Sequence, residues 1–294
     1  WMITTHDNGV NGASWEQDPF NYIYIPYETP GIAAGVIWGS GGVLNGTKNF
    51  KIKFESAGTY RLSIDGHSPQ TGTLLVCSGP GSYSDDNIIT YQPDGNDWLI
   101  QTRDLLIDNG TTYSVQTNLY EAFTFAFIPF AEAPSAPGLN RTVEVAGMAA
   151  GDFTVVNNTA TVLGGIYTLN SRNYLSSFHY DSGDYGMARN GYQLPIEKGI
   201  LLATARQAAR TYSGSTYVPT VSTDRAVKEG SQGVVVHKAA STVTEGESDF
   251  AAAWFPYSDG FSGGHIDTTL AVAASGGKTP AVETGTGGLA GTYR

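Results

Sequence analysis

Apolar and polar residues alternate along most of the chain. In GTYRLSIDG, which begins at Gly58, and in TVEVAG, an apolar side chain occurs at every second position and polar ones lie between. A period of two is typical of β-strands that bury one face, and Gly, Asn, Asp and Pro separate these segments, as in PDGND and SGPGS. The segment 198–211, KGILLATARQAART, has the best helical periodicity, but it also aligns with a strand-like segment, so both interpretations stay open.

One aromatic phrase occurs three times. It reads FNYIYIPY at 20–27, FTFAFIPF at 123–130 and FAAAWFPY at 250–257. Large side chains at successive positions predict a strand packed between two layers. Pro26, Pro129 and Pro256 have no N–H to donate, so each should end its strand or lie at an edge.

Other landmarks recur in the same order. GTLLV at Gly72 and GILLA at Gly199 precede their aromatic phrases by the same number of residues, and AGTYRLSIDG (57–66) aligns with SGDYGMARNG (182–191). WMITTHD (1–7) matches WLIQTRD (98–104), and AGTYR (290–294) repeats 57–61. Ordered repetition of several landmarks indicates internal duplication.

The repeats predict an all-β chain of tandem β-sandwich units, jelly-roll or immunoglobulin-like, with an incomplete unit at each end. The units are 28–130 and 131–257, flanked by closing strands (1–27) and opening strands (258–294). Either the chain is a window on a longer array, or the flanks of neighbouring molecules complete each other by strand addition, which builds a filament. The candidate joining residues are Trp1, Ile3, Phe20, Tyr22, Tyr24 and Tyr293.

The composition limits the classes of partner that the chain can bind. The net charge of −11 argues against nucleic acid, which needs a basic face, and no run of apolar residues is long enough to span a membrane. The single cysteine, Cys77, lies in strand-like GTLLVCSG, which favours a buried, unreactive thiol over an intermolecular bridge or a reactive one.

The sequence offers no catalytic motif. It has no nucleophile elbow, no histidine spacing for a metal, and no alternating carboxylates for glycoside hydrolysis. We therefore predict that the chain is not an enzyme and needs no cofactor. Carboxylates cluster in turns, and Asp94 and Asp97 are the leading candidates for Ca²⁺, although Asx turns explain them without metal. Asn45, Asn109, Asn140 and Asn157 are candidate glycosylation acceptors.

The order TPGIAAG, GTYRLSIDGHSP, GTLLV, WLIQTRDL and FTFAFIPF resembles repeats in large, secreted, uncharacterised surface proteins of environmental bacteria. The resemblance covers residues 1–130 best. It implies a location outside the cell or at its surface, and it carries no assigned activity.

These observations predict a structural subunit of an extracellular fibre, sheath or surface layer, with itself as partner in a homopolymer. The alternative is an adhesin or carbohydrate-binding module that contacts surface polysaccharide through Trp38, Tyr83 and Tyr91. A polysaccharide-active enzyme is the third interpretation.

Overall fold

The structure is a computed structural model of the chain. It describes residues 3–4, 6–7, 14–15, 19–79, 88–108, 112–117, 120–129, 166–168, 175–181, 184–189, 192–193, 199–205, 210–212, 215–228, 231–239, 250–256, 262–266, 272–276 and 292–293. Every regular element in these ranges is a β-strand, and every strand pair is antiparallel. The predicted all-β class is confirmed.

The strands of the first 129 residues are β1 (Ile3–Thr4), β2 (His6–Asp7), β3 (Ser14–Trp15), β4 (Phe20–Tyr24), β5 (Ala33–Ile37), β6 (Val43–Gly46), β7 (Phe50–Ser56), β8 (Thr59–Ile64), β9 (Gly72–Ser78), β10 (Ile88–Asp94), β11 (Asp97–Asp108), β12 (Thr112–Thr117) and β13 (Phe123–Pro129). The later strands are β14 (Ile166–Thr168), β15 (Leu175–Asp181), β16 (Asp184–Arg189), β17 (Tyr192–Gln193), β18 (Gly199–Ala205), β19 (Arg210–Tyr212), β20 (Ser215–Lys228), β21 (Ser231–Ala239), β22 (Phe250–Pro256), β23 (Ser262–Ile266), β24 (Val272–Gly276) and β25 (Thr292–Tyr293).

The described strands within residues 33–129 form two sheets that share one core. The first sheet has the order β10-β11-β8-β7, with β12 on β11, and the second has the order β6-β5-β13-β9. Along β8, Tyr60, Leu62 and Ile64 are buried while the residues between them are partly exposed, as the alternating sequence predicts. The shared core draws buried side chains from both sheets: Ala33, Ile37, Tyr60, Leu62, Ile64, Leu74, Val76, Tyr91, Trp98, Ile100, Phe123, Phe125 and Phe127.

Strand β13 carries the central copy of the aromatic phrase and is buried on both sides. Phe127 packs against Trp98 in the shared core, with ring centroids 5.3 Å apart. On the other side, Ile128 joins a second cluster with Leu75 and Phe255. Pro129 closes the ladder as the last residue of the strand. The prediction of a strand packed between layers is therefore confirmed for this copy.

Strands of 175–189 repeat the geometry of 50–64. Phe50 lies opposite Ile64 in the β7–β8 pair, and Leu175 lies opposite Arg189 in the β15–β16 pair. Every residue pair in the first ladder has an equivalent pair in the second ladder, in the same order.

Both ladders also contain an irregularity at the equivalent place. The register shifts between Phe54 and Ser56 in the β7–β8 pair, and between His179 and Asp181 in the β15–β16 pair. An extra residue in a strand bends it locally, so the two hairpins share a bulge as well as a register.

The segment with helical periodicity is a strand. Residues 199–205 form β18, which pairs along its whole length with β22, with Gly199 opposite Pro256 and Ala205 opposite Phe250. The β9–β13 pair has the equivalent register, with Gly72 opposite Pro129. The helical interpretation of this stretch is wrong because burial between layers overrode the local periodicity; 206–209 lie outside the described residues.

The two ends of the chain pair with each other. Strand β23 lies between β24 and β4, with Phe20 opposite Ile266. Phe123 lies opposite Ile37 in the equivalent β13–β5 pair, so this register is repeated too.

A shorter pair joins the outermost described strands. Ile3 in β1 lies opposite Tyr293 in β25. In the first sheet, Ile100 lies opposite Tyr60, and these are the residues to which the repeated WMITT and AGTYR segments align.

A small apolar cluster joins three sheets. Leu75 and Ile128 come from the second sheet, Ile200 and Phe255 come from the β18–β22 pair, and Ile23 of β4 packs against them. Burial of apolar side chains from all three sheets is what holds them together here.

A polar contact joins two of these three sheets. The hydroxyl of Thr204 accepts a hydrogen bond from the Val76 N–H at 3.1 Å and donates one to the Val76 carbonyl at 2.9 Å. This bond pair is buried, so it fixes β18 against β9 without leaving a polar group unsatisfied.

Candidate functional site

The predicted joining residues lie where the two ends of the chain meet. Ile3 and Tyr293 are direct partners, and Phe20, Tyr22 and Tyr24 line the β4 strand that pairs with β23. Trp1 lies outside the described residues. From the sequence we expected the missing partner of each end in a longer array or in a neighbouring molecule, whereas in the structure each end has a partner within the same chain. Pairing between molecules stays a prediction.

A polar contact lies within the β4–β23 pair. His265 is buried opposite Asn21, and its Nδ1 lies 2.7 Å from the Asn21 Oδ1. The Asn21 amide also donates from Nδ2 to the carbonyl oxygen of Leu201 at 3.1 Å. Because an amide oxygen only accepts, the Nδ1 of His265 carries the proton and donates. The contact ties the paired ends to β18.

The tyrosines of β4 differ in their surroundings. Tyr24 is 47% exposed, so the prediction that the aromatic phrase is a core strand does not hold for this residue. Tyr22 is half-buried, and burial raises the pKa of its phenol. Its hydroxyl is buried and has no hydrogen-bond partner among the described residues, which is an unfavourable arrangement for a polar group.

The calcium candidates lie at a tight hairpin turn. Asp94 and Asp97 face each other across the end of the β10–β11 ladder, and Gly95 between them has a positive φ of 65°. Glycine adopts this conformation without the steric cost that a side chain adds. The turn brings the two carboxylates to the same end of the sheet.

An arginine is the cation beside these carboxylates. The Arg61 Nη1 lies 2.6 Å from the Asp94 Oδ2 and 3.8 Å from the Asp97 Oδ2, while its Nε contacts Glu55 at 2.8 Å. The hydrogen bond from Lys53, and to a smaller extent the one from Arg61, lowers the pKa of Glu55. No group of three or more potential metal ligands occurs in the described part of the chain. Ca²⁺ at Asp94 and Asp97 stays a prediction, and such an ion would have to compete with Arg61.

Of the glycosylation candidates, only Asn45 falls in a described segment. It is exposed on β6, and its side-chain oxygen accepts a hydrogen bond from the Gly46 N–H at 2.9 Å. Asn109, Asn140 and Asn157 lie outside the described residues.

Two predictions about the burial of single side chains are wrong. Tyr91, a candidate sugar contact, is only 2% exposed because it faces the shared core. Cys77 is exposed as a residue because the last two positions of β9 extend beyond the buried part of the strand. Desolvation nevertheless raises the pKa of its thiol, which favours the protonated, less nucleophilic form.

The other two candidate sugar contacts are Trp38 and Tyr83. Trp38 is 42% exposed, as a binding residue requires. Tyr83 lies outside the described residues.

Two aromatic residues that the sequence analysis did not select lie close to the turn that begins at Trp38. Phe54 and Tyr120 are exposed, and their rings stack with centroids 5.7 Å apart and an interplanar angle of 7°. They come from distant parts of the chain, so no local pattern could have linked them. Trp38, Phe54 and Tyr120 are called the aromatic patch below.

Comparison with family models, curated proteins and solved structures finds no match to this chain. A search of the described residues for helices long and apolar enough to cross a membrane also finds none.

Proposed function

We propose that this protein is a structural subunit of an extracellular fibre, sheath or surface layer, built from tandem β-sandwich units. The observation that carries the proposal is the repeated strand register, which recurs between residues 50–64 and 175–189 together with its bulge. Equal registers at aligned sequence positions support one structural unit used more than once. The extracellular location rests on the resemblance to repeats of secreted proteins.

In this proposal the two flanks make a further unit together. The β4–β23 pair has the register of the β13–β5 pair, and the β1–β25 pair has that of the β11–β8 pair. The β23–β24 hairpin even shifts register where the β5–β6 hairpin does, at Ile266 and Ile37 respectively. Strands from opposite ends of the sequence thus supply complementary parts of one fold.

Complementary ends can pair within a chain or between chains. The same strands form the same hydrogen bonds in either case, so exchange between molecules costs no native contact. When the closing strands of one molecule pair with the opening strands of the next, every molecule offers one donor and one acceptor end. Such head-to-tail contacts extend without limit and build a filament.

A mixing experiment tests this step. One chain carries Asn21→Cys and a second carries His265→Cys, both with Cys77→Ser to remove the native thiol. These positions face each other across the β4–β23 ladder, a separation that a disulfide spans. Because neither chain has two cysteines, a mixed disulfide dimer forms efficiently only if the ends pair between molecules.

The chain offers a matched control. Val36 and Thr124 face each other in the equivalent β5–β13 pair, which lies inside one proposed unit. Val36→Cys and Thr124→Cys on separate chains should give no mixed dimer. Electron microscopy of the same material should show long regular polymers. Dispersed particles, or mixed dimers no more abundant for the end pair than for the control pair, would reject the filament.

A further inference from the structure

The aromatic patch gathers three large exposed rings around one turn. Trp38, Phe54 and Tyr120 are 42%, 38% and 63% exposed. The turn that starts at Trp38 is closed by its N–H, which donates to the Gly42 carbonyl at 2.8 Å, and by the Gly41 N–H, which donates to the Trp38 carbonyl at 2.7 Å. Exposed aromatic residues that cluster, unlike scattered ones, mark a binding surface.

Glycines hold the rings close to this turn. A Cβ on Gly39 would lie 1.7 Å from the Tyr120 carbonyl oxygen, and one on Gly41 would lie 3.0 Å from the Phe54 Cβ. Gly41 also has a φ of +85°, which other residues rarely adopt. The turn therefore lies directly against the chain segments that carry Phe54 and Tyr120.

The repeated sheet geometry does not require these three rings, because aligned positions in other copies carry polar residues. In the aligned registers, the place of Trp38 is taken by Asp267 and that of Phe54 by His179. Tyr120, three residues before its aromatic phrase, corresponds to Gln17 and Glu247 in the other copies. Polar residues at all these positions show that exposed rings are not a requirement of the repeated sheet geometry.

The electrostatic surroundings disfavour an acidic ligand. Lys53 and Glu55, the sequence neighbours of Phe54, pair with each other at 2.9 Å, and the acidic Glu121 follows Tyr120. With a net charge of −11 the chain repels nucleic acids and acidic polysaccharides. A neutral sugar ring has an apolar C–H face that packs on an aromatic ring, and hydroxyls that bond to polar groups beside it. The exposed Ser40 hydroxyl in the turn is such a group.

We propose that the aromatic patch binds a neutral glycan, with sugar rings stacked on Trp38 and Tyr120. The three rings lie within residues 28–130 and outside the paired strands β4 and β23. It gives a structural repeat the capacity to hold a surface or matrix polysaccharide.

Pull-down and affinity electrophoresis of the whole chain with cellulose, chitin, mannan and dextran test the proposal, with alginate as the acidic comparison. We expect retention by at least one neutral glycan and none by alginate. Trp38→Ala and Tyr120→Ala should each weaken retention about tenfold, the change that a loss of roughly 1.4 kcal/mol produces. Leu44→Ala is the matched control, because Leu44 is exposed and apolar on neighbouring β6 but has no ring; it should leave retention unchanged.

Several results would overturn the proposal. Failure of all four neutral glycans to bind would do so, and so would retention that survives Trp38→Ala combined with Tyr120→Ala. Circular dichroism of each variant checks that the fold is intact, which these exposed positions permit. A fall in the solution mass of Trp38→Ala without any loss of glycan retention would assign the patch to contact with a second copy instead.

Discussion

Phe127 provides the most informative single substitution in the shared core. Its ring is fully buried and contacts Trp98, with centroids 5.3 Å apart, and His67, with centroids 4.8 Å apart. An aromatic side chain buries about 150–250 Å², and at about 25 cal/mol/Å² this corresponds to roughly 4–6 kcal/mol of transfer free energy. Alanine keeps the Cβ, and measured Phe→Ala changes in cores cost about 3–5 kcal/mol. We expect Phe127→Ala to lower the free energy of unfolding by this amount.

Tyr24 is the matched control, since it occupies the same place in its copy of the aromatic phrase but is 47% exposed. Tyr24→Ala should lower the free energy of unfolding by less than about 1 kcal/mol. Urea titrations of both variants, followed by circular dichroism and tryptophan fluorescence, measure the difference. Equal losses in the two variants would show that burial in the shared core does not distinguish the two copies, and would refute this account of the core.

Three further predictions concern buried polar groups and pH. Tyr22→Phe removes a buried hydroxyl that has no partner among the described residues, so the free energy of unfolding in urea should stay unchanged or rise by up to about 1 kcal/mol. A fall in the free energy of unfolding would show that the hydroxyl makes a hydrogen bond. Thr204→Val leaves the Val76 N–H and carbonyl without their hydroxyl partner and should cost about 1–3 kcal/mol in the same titration, whereas no cost would mean that the contact is not formed. Burial lowers the pKa of His67 from its ordinary 6.5, so on acidification the unfolded chain binds the proton before the folded chain does. Stability should therefore fall as the pH drops below about 6.5. His67→Gln should remove that part of the pH dependence, and an unchanged profile of stability against pH would contradict the assignment.

The sequence was sufficient to predict features set by short-range pattern. Alternation in GTYRLSIDG correctly predicted that Tyr60, Leu62 and Ile64 share a buried face. Pro129 and Pro256 end their strands, as the missing N–H requires. These predictions succeeded because strand period and proline chemistry act within a few residues.

Features that depend on which strands meet were beyond the sequence pattern. Arg61 lies on β8 and Asp94 ends β10, so only the sheet order reveals that they form an ion pair. Tyr91 looked like a loop aromatic beside PDGND, but the β10–β11 ladder turns it into the core opposite Ile100. Phe54 and Tyr120 meet only in the folded chain.

For the pairing of the two ends, the sequence predicted one feature and left another undecided. The matches of WMITT to WLIQT and of the two AGTYR segments correctly identified which strands are equivalent. They did not decide whether the partner of each end lies in the same chain, because a pair of strands forms the same hydrogen bonds in either case.

The central claim is that the two ends of the chain pair in the register used inside residues 33–129. Disulfide trapping of Asn21→Cys with His265→Cys, compared with the pair Asn21→Cys and Gly264→Cys shifted by one residue, tests it directly in a Cys77→Ser background. A one-residue shift places side chains on opposite faces of the sheet. We predict rapid cross-linking of the first pair and little of the second; equal rates, or cross-linking of the shifted pair alone, would contradict the account.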